Sequence, residues 1–353
     1  MKPAGPSAII DLKGLTPREL DHFCVERLGR RPGQGIRISA WLYRNRTEDI
    51  DAMLDINRAF REELKQHAMI SGLVVKERRT SSDGTEKLLY GLDDGHAVEG
   101  VLIPGPGGRL TLCLSSQVGC ASGCGFCLTG SGGLVRNLTV SEIVNQVFAA
   151  GKAASAPVTN LVLMGTGEPL GNYDAVRSFI EIATDRNGMG FSPRKVTVST
   201  CGLAPMIEKL ANDGVDVSLA VSLNATTDGV RDRIMPVNRT YPITRLMAAL
   251  RYYCEKTGRT VTIEYVMFRD VNDSLEDVKR LMTLLENLPC MINLLFFNPF
   301  PGCSFDRPEE QRVFLFRDML VNNNFVTVVR NSRGRDINAA CGQLRAAAAA
   351  PRS

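Results

Sequence analysis

The chain has 353 residues, of which 44% are apolar and 23% charged, and a net charge of +4; this balance fits a folded protein with a sizeable core. No apolar run reaches the length of a membrane span and the N-terminal residues lack the apolar core of a secretion signal, so a cytoplasmic protein without a membrane partner is expected. Ten cysteines without regular pairing exclude a small disulfide scaffold and suit reduced thiols or cluster ligation.

Residues 1–10 read as a loose lead-in. Thr16-Pro17-Arg18-Glu19 is a capping box with proline at the first helical position, which predicts a helix from Pro17 to Leu28, ended by Gly29. Further helices are expected over Ile38–Arg44 and Ile56–Gln66. Between Arg27 and Arg46 lie six arginines (Arg27, Arg30, Arg31, Arg37, Arg44, Arg46) and no acid, with Trp41 and Tyr43 among them. Such a face suits a nucleic-acid phosphate backbone and, equally, a solvated surface. Residues 1–68 are taken as a helical accessory domain.

Over 69–105 the pattern changes to strands. Leu73–Val75 and Leu88–Tyr90 flank Ser82-Asp83-Gly84, a hairpin turn, and Val98–Ile103 follows. This predicts a small β-sheet linker, in which Glu99 is a lone acid on an apolar strand, a residue type that usually faces solvent. Residues 106–353 form the expected core. Strands at Leu110–Leu114, Leu161–Met164, Lys195–Ser199, Val215–Ser222, Val261–Met267 and Ile292–Phe297 alternate with helices near 140–153, 173–185, 203–212, 242–256 and 275–287. Six such units imply an α/β fold with a parallel sheet and right-handed crossovers, a partial six-stranded (βα) barrel. A helix near 308–322, a strand near Phe325–Val329 and a low-complexity tail at Ala346–Ala350 close the chain.

Chemistry gathers in the loop after the first core strand. Cys120, Cys124 and Cys127 are spaced C-x3-C-x2-C, which can ligate three corners of a cubane iron–sulfur cluster and leave one iron open. Structural zinc, the competing reading, needs a fourth ligand, and none of the three histidines lies near in sequence. Polar residues recur at the ends of other core strands: Gly167 and Glu168, Ser199, Ser222-Leu223-Asn224, and Asn298. In barrel-like α/β folds the strand C-termini carry the site, so these are expected to line one ligand pocket. Cys341 lies in an arginine-rich segment, where cations are expected to favour its thiolate, and Cys113 ends the first strand pointing toward the same rim.

Taken together, Ser115–Cys120 with the cysteine triplet and Phe126, Arg136-Asn137-Leu138, Gly167-Glu168-Pro169-Leu170 and Asp336–Leu344 resemble the RlmN-type dual-specificity RNA methyltransferases, which carry the radical S-adenosylmethionine (SAM) signature. The resemblance covers about residues 10–345. It implies a radical SAM barrel, a [4Fe-4S] cluster on Cys120, Cys124 and Cys127, and SAM bound by Gly167, Glu168, Ser199, Ser222, Leu223, Asn224 and Asn298. It also implies Cys341 as the methyl-carrying cysteine, Cys113 as its thiol partner and Glu99 as proton acceptor. Asn224 stands where many of those enzymes have histidine, and Leu128–Gly133 lacks a glutamine common there.

By the same resemblance the substrate is an adenosine of large-subunit (23S) ribosomal RNA and one in the tRNA anticodon loop, methylated at carbon 2. Cys341 would take a methyl group from one SAM. A 5′-deoxyadenosyl radical from a second SAM would remove hydrogen from that methyl group. After addition to the base, Cys113 would attack the Cys341 sulfur and release the product as a transient disulfide. An electron donor such as flavodoxin or ferredoxin and a monomeric enzyme are expected. The alternatives are methylation of carbon 8 by a resistance-type enzyme, a radical enzyme acting on peptide or metabolite, and a zinc-dependent RNA-binding module.

Overall fold

The computed structural model describes residues 9–344; the expected tail at Ala346–Ala350 lies outside the described residues. The N-terminal module is closed by two short parallel strands, β1 (Ile10–Asp11) and β2 (Ala68–Met69). Helix α1 (Pro17–Glu26) carries both halves of its capping box, Thr16 with Glu19. Helix α2 starts earlier than the apolar spacing suggests, at Gln34–Ser39, because Gly33 enters the left-handed region (φ 94°) and turns the chain. It runs into one π-helical turn at Ala40–Arg44. Helix α3 spans Arg58–His67.

A buried lysine ties this module to the core. Lys13 Nζ donates to Ser71 O and Asn145 Oδ1, both at 2.8 Å, and stands 4.9 Å from the Phe148 ring centroid. Tyr43 stacks on the same ring. Leu12, Leu42 and Phe60 belong to the same apolar cluster as the sheet residues Leu112, Leu161 and Ile263, so module and barrel share one core.

The main sheet has ten strands. Three are antiparallel: β3 (Val74–Thr80), β4 (Glu86–Gly91) and β5 (Ala97–Pro104). The chain then reverses through Gly107 and Gly108, both at positive φ, into β6 (Leu110–Cys113). A short hairpin of β7 (Gln117–Gly119) and β8 (Leu134–Asn137) stands apart from the sheet. Next come β9 (Asn160–Leu163), β10 (Val196–Thr200), β11 (Ser218–Ser222), β12 (Val261–Met267), β13 (Cys290–Phe296) and β14 (Thr327–Arg330). The order is β14-β13-β12-β11-β10-β9-β6-β5-β4-β3.

All six expected core strands are present, and the strand foreseen near Phe325–Val329 adds a seventh in parallel, as β14 beside β13. The strands of 69–105 extend this same sheet, because β5 pairs antiparallel with β6. Outer helices α4 (Val140–Ala153), α5 (Tyr173–Thr184), α6 (Ala204–Asn212), α8 (Ile243–Thr257), α9 (Leu275–Leu285) and α10 (Glu310–Asn322) supply the crossovers, and α7 (Asp228–Ile234) is a short insertion after β11. Capping boxes at Thr139/Glu142 and Ser274/Asp277 fix the starts of α4 and α9.

Candidate active site

The three cysteines sit on the loop that β7 and β8 pinch at its base. Gly119 (φ 76°) allows this: an added Cβ would fall 2.0 Å from Gly133 O. Cys120 N donates to Gly133 O at 2.8 Å, closing the neck, and Gly125 N donates to Ile234 O at 2.9 Å, tying the loop tip to α7. Cys120, Cys124 and Cys127 all line one cleft at the C-terminal ends of the parallel strands. The cleft is open to solvent at one side.

The thiols suit ligation to a cationic centre. Burial pushes the Cys124 thiol up, and the neighbouring Cys127 and Cys120 push it further. Burial raises Cys120 as well, against hydrogen bonding from Ser122. Ligation as thiolates therefore needs a compensating cationic centre. Among the described residues no three His, Cys, Asp or Glu side chains converge closely enough for one metal ion.

The remaining wall comes from the strand ends. Gly167 (φ 108°) brings the backbone against Gln117, where an added Cβ would lie 2.6 Å from Gln117 Cβ. Glu168 is buried, and its two oxygens accept from Leu170 N (3.0 Å) and Cys201 N (2.7 Å), so it braces β9 against β10 as well as facing the cleft. Burial raises its carboxyl despite these hydrogen bonds. Ser199, Ser222 and Asn298 line the cleft. Asn298 Nδ2 donates to Ser332 Oγ at 2.7 Å, while its buried Oδ1 has no partner among the described residues, an acceptor that a bound nucleoside's hydroxyl or amine would satisfy.

Two expected pocket residues stand behind this wall. Leu223 is packed in the apolar core, with its N–H on Glu264 O. Asn224 is fully buried at φ 56°; its Oδ1 accepts from Val266 N at 2.8 Å and its Nδ2 reaches Met235 Sδ at 3.3 Å. Neither is among the lining residues, because Asn224 spends its side chain on joining β11 to β12.

Cys341 lies on the segment after β14, in the same cleft wall as the cysteine loop. The residue is exposed on the cleft side of that segment, while its sulfur sits against the wall. The expected thiolate is not favoured there: burial and Glu264 raise the Cys341 thiol, and Arg330 only partly opposes them. Cys113 is buried beneath, packed with Val101, Ala339 and Leu344. Burial, then Cys341, pushes its thiol up. Both cysteines are free thiols. Glu99 does not face solvent: it is buried on β5 and paired with Lys87 of β4 at 3.1 Å.

Two further residues, Glu264 and Arg231, belong to the site, though the sequence reading did not pick them out. Glu264, on the otherwise apolar β12, lines the cleft and accepts from Asn293 Nδ2 at 2.9 Å. A lone acid in a buried strand was the available signal. Arg231 of α7 is fully buried behind the wall. It donates to Cys201 O (2.7 Å), Leu223 O (3.0 Å), Ser222 O (3.1 Å) and Asn238 Oδ1 (3.1 Å), and no local pattern announced it.

Comparison with known proteins agrees with this geometry. Residues 114–285 match the Radical SAM superfamily, and residues 10–70 match the Ribosomal RNA large subunit methyltransferase N-terminal domain. The chain is 48% identical over 336 residues to the dual-specificity RNA methyltransferase RlmN of Geotalea uraniireducens, covering 95% of this chain and 96% of that one. It is likewise 48% identical to the RlmN of Geobacter sulfurreducens, covering 96% and 92%. A crystal structure of a radical SAM methyltransferase from Sphaerobacter thermophilus superposes with a TM-score of 0.88 at 43% identity, covering 96% of this chain and 100% of the other.

Proposed function

The chain belongs to the RlmN family of radical SAM dual-specificity RNA methyltransferases, and from that premise we propose that it methylates carbon 2 of an adenosine in 23S ribosomal RNA, and of one in the tRNA anticodon loop, through Cys341. One observation carries the reading: Cys341 shares a cleft with the three-cysteine loop, and Cys113 is buried under the segment that bears it.

Cys120, Cys124 and Cys127 would hold a [4Fe-4S] cluster, which when bound would supply the one-electron chemistry that makes SAM a radical source. The protein does the rest. Gly167, Glu168, Ser199, Ser222 and Asn298 hold SAM in the cleft. Cys341, its proton lost to solvent, displaces S-adenosylhomocysteine from one SAM and takes its methyl group; that carbon, after giving one hydrogen atom to the radical from a second SAM, joins the base. Cys113, kept dry beside Ala339 and Leu344, then attacks the Cys341 sulfur and frees the methylated base. Glu99, charge-paired with Lys87, accepts the carbon 2 proton. Leu223 and Asn224 act on SAM through the strand ends they hold.

The RNA face is best supported at the cleft mouth. Of the N-terminal arginines, Arg37 is bonded to Asp55, Arg30 to Glu63 and Arg44 to the Arg186 carbonyl. Arg233 in the last turn of α7, Arg269 just after β12 and Arg335 after β14 are instead exposed, with no ion pair among the described residues. They suit the phosphates flanking an unstacked adenosine. The described helices include none long and apolar enough to cross a membrane. A monomer in the cytoplasm, reduced by flavodoxin or ferredoxin, completes the proposal.

The test is anaerobic incubation of reconstituted protein with RNA and trideuteromethyl SAM, followed by mass spectrometry of the nucleosides. A 2-methyladenosine lacking one deuterium is expected. A fully deuterated methyl group removes the role of Cys341, and an 8-methyl product replaces the assigned carbon.

A further inference from the structure

The segment that bears Cys341 is held at two places. On one side it rests on the cysteine loop: Leu128 N donates to Gly342 O at 2.7 Å, and Thr129 Oγ1 to Leu344 O at 2.6 Å. Gly342 sits at φ 82°, and an added Cβ would press on Phe126 O at 3.0 Å. On the other side it rests on the turn joining β3 to β4, more than 240 residues earlier in the chain.

That second contact is reciprocal. Asp83, in the turn, accepts from Thr85 N at 2.9 Å and reaches across to Gly334 N at 3.0 Å. Asp336, in the segment, accepts from Ser81 Oγ at 2.5 Å and from Ser82 N at 3.0 Å. Each carboxylate thus satisfies backbone donors of the opposite strand of chain. Two further features close the contact. Lys87 of β4 donates to Asn338 O at 3.2 Å while pairing with Glu99. Gly334, at φ 64°, lies so close that an added Cβ would fall 2.8 Å from Ala339 Cβ and 2.9 Å from Thr85 Cγ2. Cys341 stands between the two anchored stretches, 334–338 and 342–344.

We infer that the β3–β4 turn is the dock of the cysteine-bearing segment, and that Asp83 and Asp336 are positioning residues that set where Cys341 stands over the cleft and over Cys113. The inference deepens the proposed function and rests on Cys341 being the methyl carrier. An isosteric amide tests it. Asp83 uses its two oxygens as acceptors for two different N–H groups, so an asparagine turns one of those contacts into donor against donor. Asp336 differs, since one of its partners is the Ser81 hydroxyl, which can turn to accept from an amide; there asparagine removes the charge and weakens the contact without forcing a clash, and the double variant carries the test. Asp336 is exposed, so its substitution does not threaten the core.

The experiment uses full-length, cluster-loaded protein: wild type, Asp336→Asn, and Asp83→Asn with Asp336→Asn. Hydrogen–deuterium exchange over 331–344 is expected to rise roughly tenfold in the double variant, equivalent to about 1.4 kcal/mol of local opening. Exchange in β10–β12 and iron and sulfide content are expected to stay at wild-type values. Alkylation of Cys341 by iodoacetamide, read by peptide mass spectrometry, is expected to accelerate in step. Unchanged exchange over 331–344, or a rise spread evenly through the fold, overturns the dock. Failure of the carrier reading shows separately: full RNA methylation by Cys341→Ala overturns that role and leaves the exchange result as measured.

Discussion

Replacing Arg231 with methionine tests whether the cleft wall is set from behind. The guanidinium makes four hydrogen bonds, three of them to the carbonyls of Cys201, Ser222 and Leu223 at the ends of β10 and β11. The fourth, to Asn238 Oδ1, continues to Asp228 and Asp232 through Asn238 Nδ2. Hydrogen bonds to a charged group are worth about 1.5–3 kcal/mol each, but they do not add, and methionine fills space while removing a buried charge. A net loss of about 3 kcal/mol follows, since three carbonyls lose this donor and only Leu223 O keeps another, from Ala225 N. With roughly 2.1 cal/mol/K of unfolding entropy per residue, a chain of 353 residues should lose about 4 °C in Tm. Because those carbonyls fix the strand ends bearing Ser199 and Ser222, SAM affinity should also fall roughly tenfold. The assays are calorimetry and equilibrium binding of SAM to cluster-loaded protein. A Tm within about 1 °C of wild type together with unchanged SAM affinity would refute the reasoning. Arg231→Lys, which keeps the charge but has one donor centre, should fall between the two.

Three further outcomes are expected. Cys113→Ala should leave Cys341 methylated by SAM but trap a covalent protein–RNA adduct on denaturing gels; free methylated RNA at the wild-type rate would contradict the role of Cys113. Arg233, Arg269 and Arg335 changed together to glutamate should weaken RNA binding at least tenfold and flatten the log–log salt dependence by about two, as expected for three lost single-strand phosphate contacts. Equal salt slopes for variant and wild type would move the RNA elsewhere. The dock should also depend on pH. Burial acts to raise the Asp83 carboxyl, but hydrogen bonds from Thr85, Gly334 and Ser81 outweigh it and bring it down to about 2. Asp336 is lowered by Ser81 and then Ser82. Carboxyls depressed on folding stabilise above their unfolded value, about 3.9, and lose that contribution as pH falls through the folded value. Exchange over 331–344, corrected for its intrinsic pH dependence, should thus be flat above pH 5 and climb between about pH 4 and 2; no climb would count against both carboxylates.

Local chemistry was legible in the sequence and long-range pairing was not. Thr16/Glu19 and Thr139/Glu142 announced their helices because a capping box is complete within four residues. The cysteine spacing and the strand ends likewise declared the cleft, and Gly167, Glu168, Ser199, Ser222 and Asn298 all reach it. The joining of β5 to β6 was hidden, since an antiparallel edge looks the same in sequence whether it closes a small sheet or extends a large one. The six clustered arginines suggested a free basic face, but Asp55 and Glu63, which pair with Arg37 and Arg30, lie well downstream. Asn224 and Glu99 were misplaced for the same reason: their partners Val266 and Lys87 belong to neighbouring strands.

The seam between β5 and β6 also decides how this chain can be cut. Because Val101 pairs with Cys113 across it, a fragment beginning near residue 106 would present β6 as a raw edge, with unmatched backbone groups open to strand addition by another copy. The same cut would remove the turn that receives Asp336 and the lysine that meets Asn338. The barrel is therefore no portable cassette: any graft or minimal enzyme built from this scaffold has to begin no later than β3.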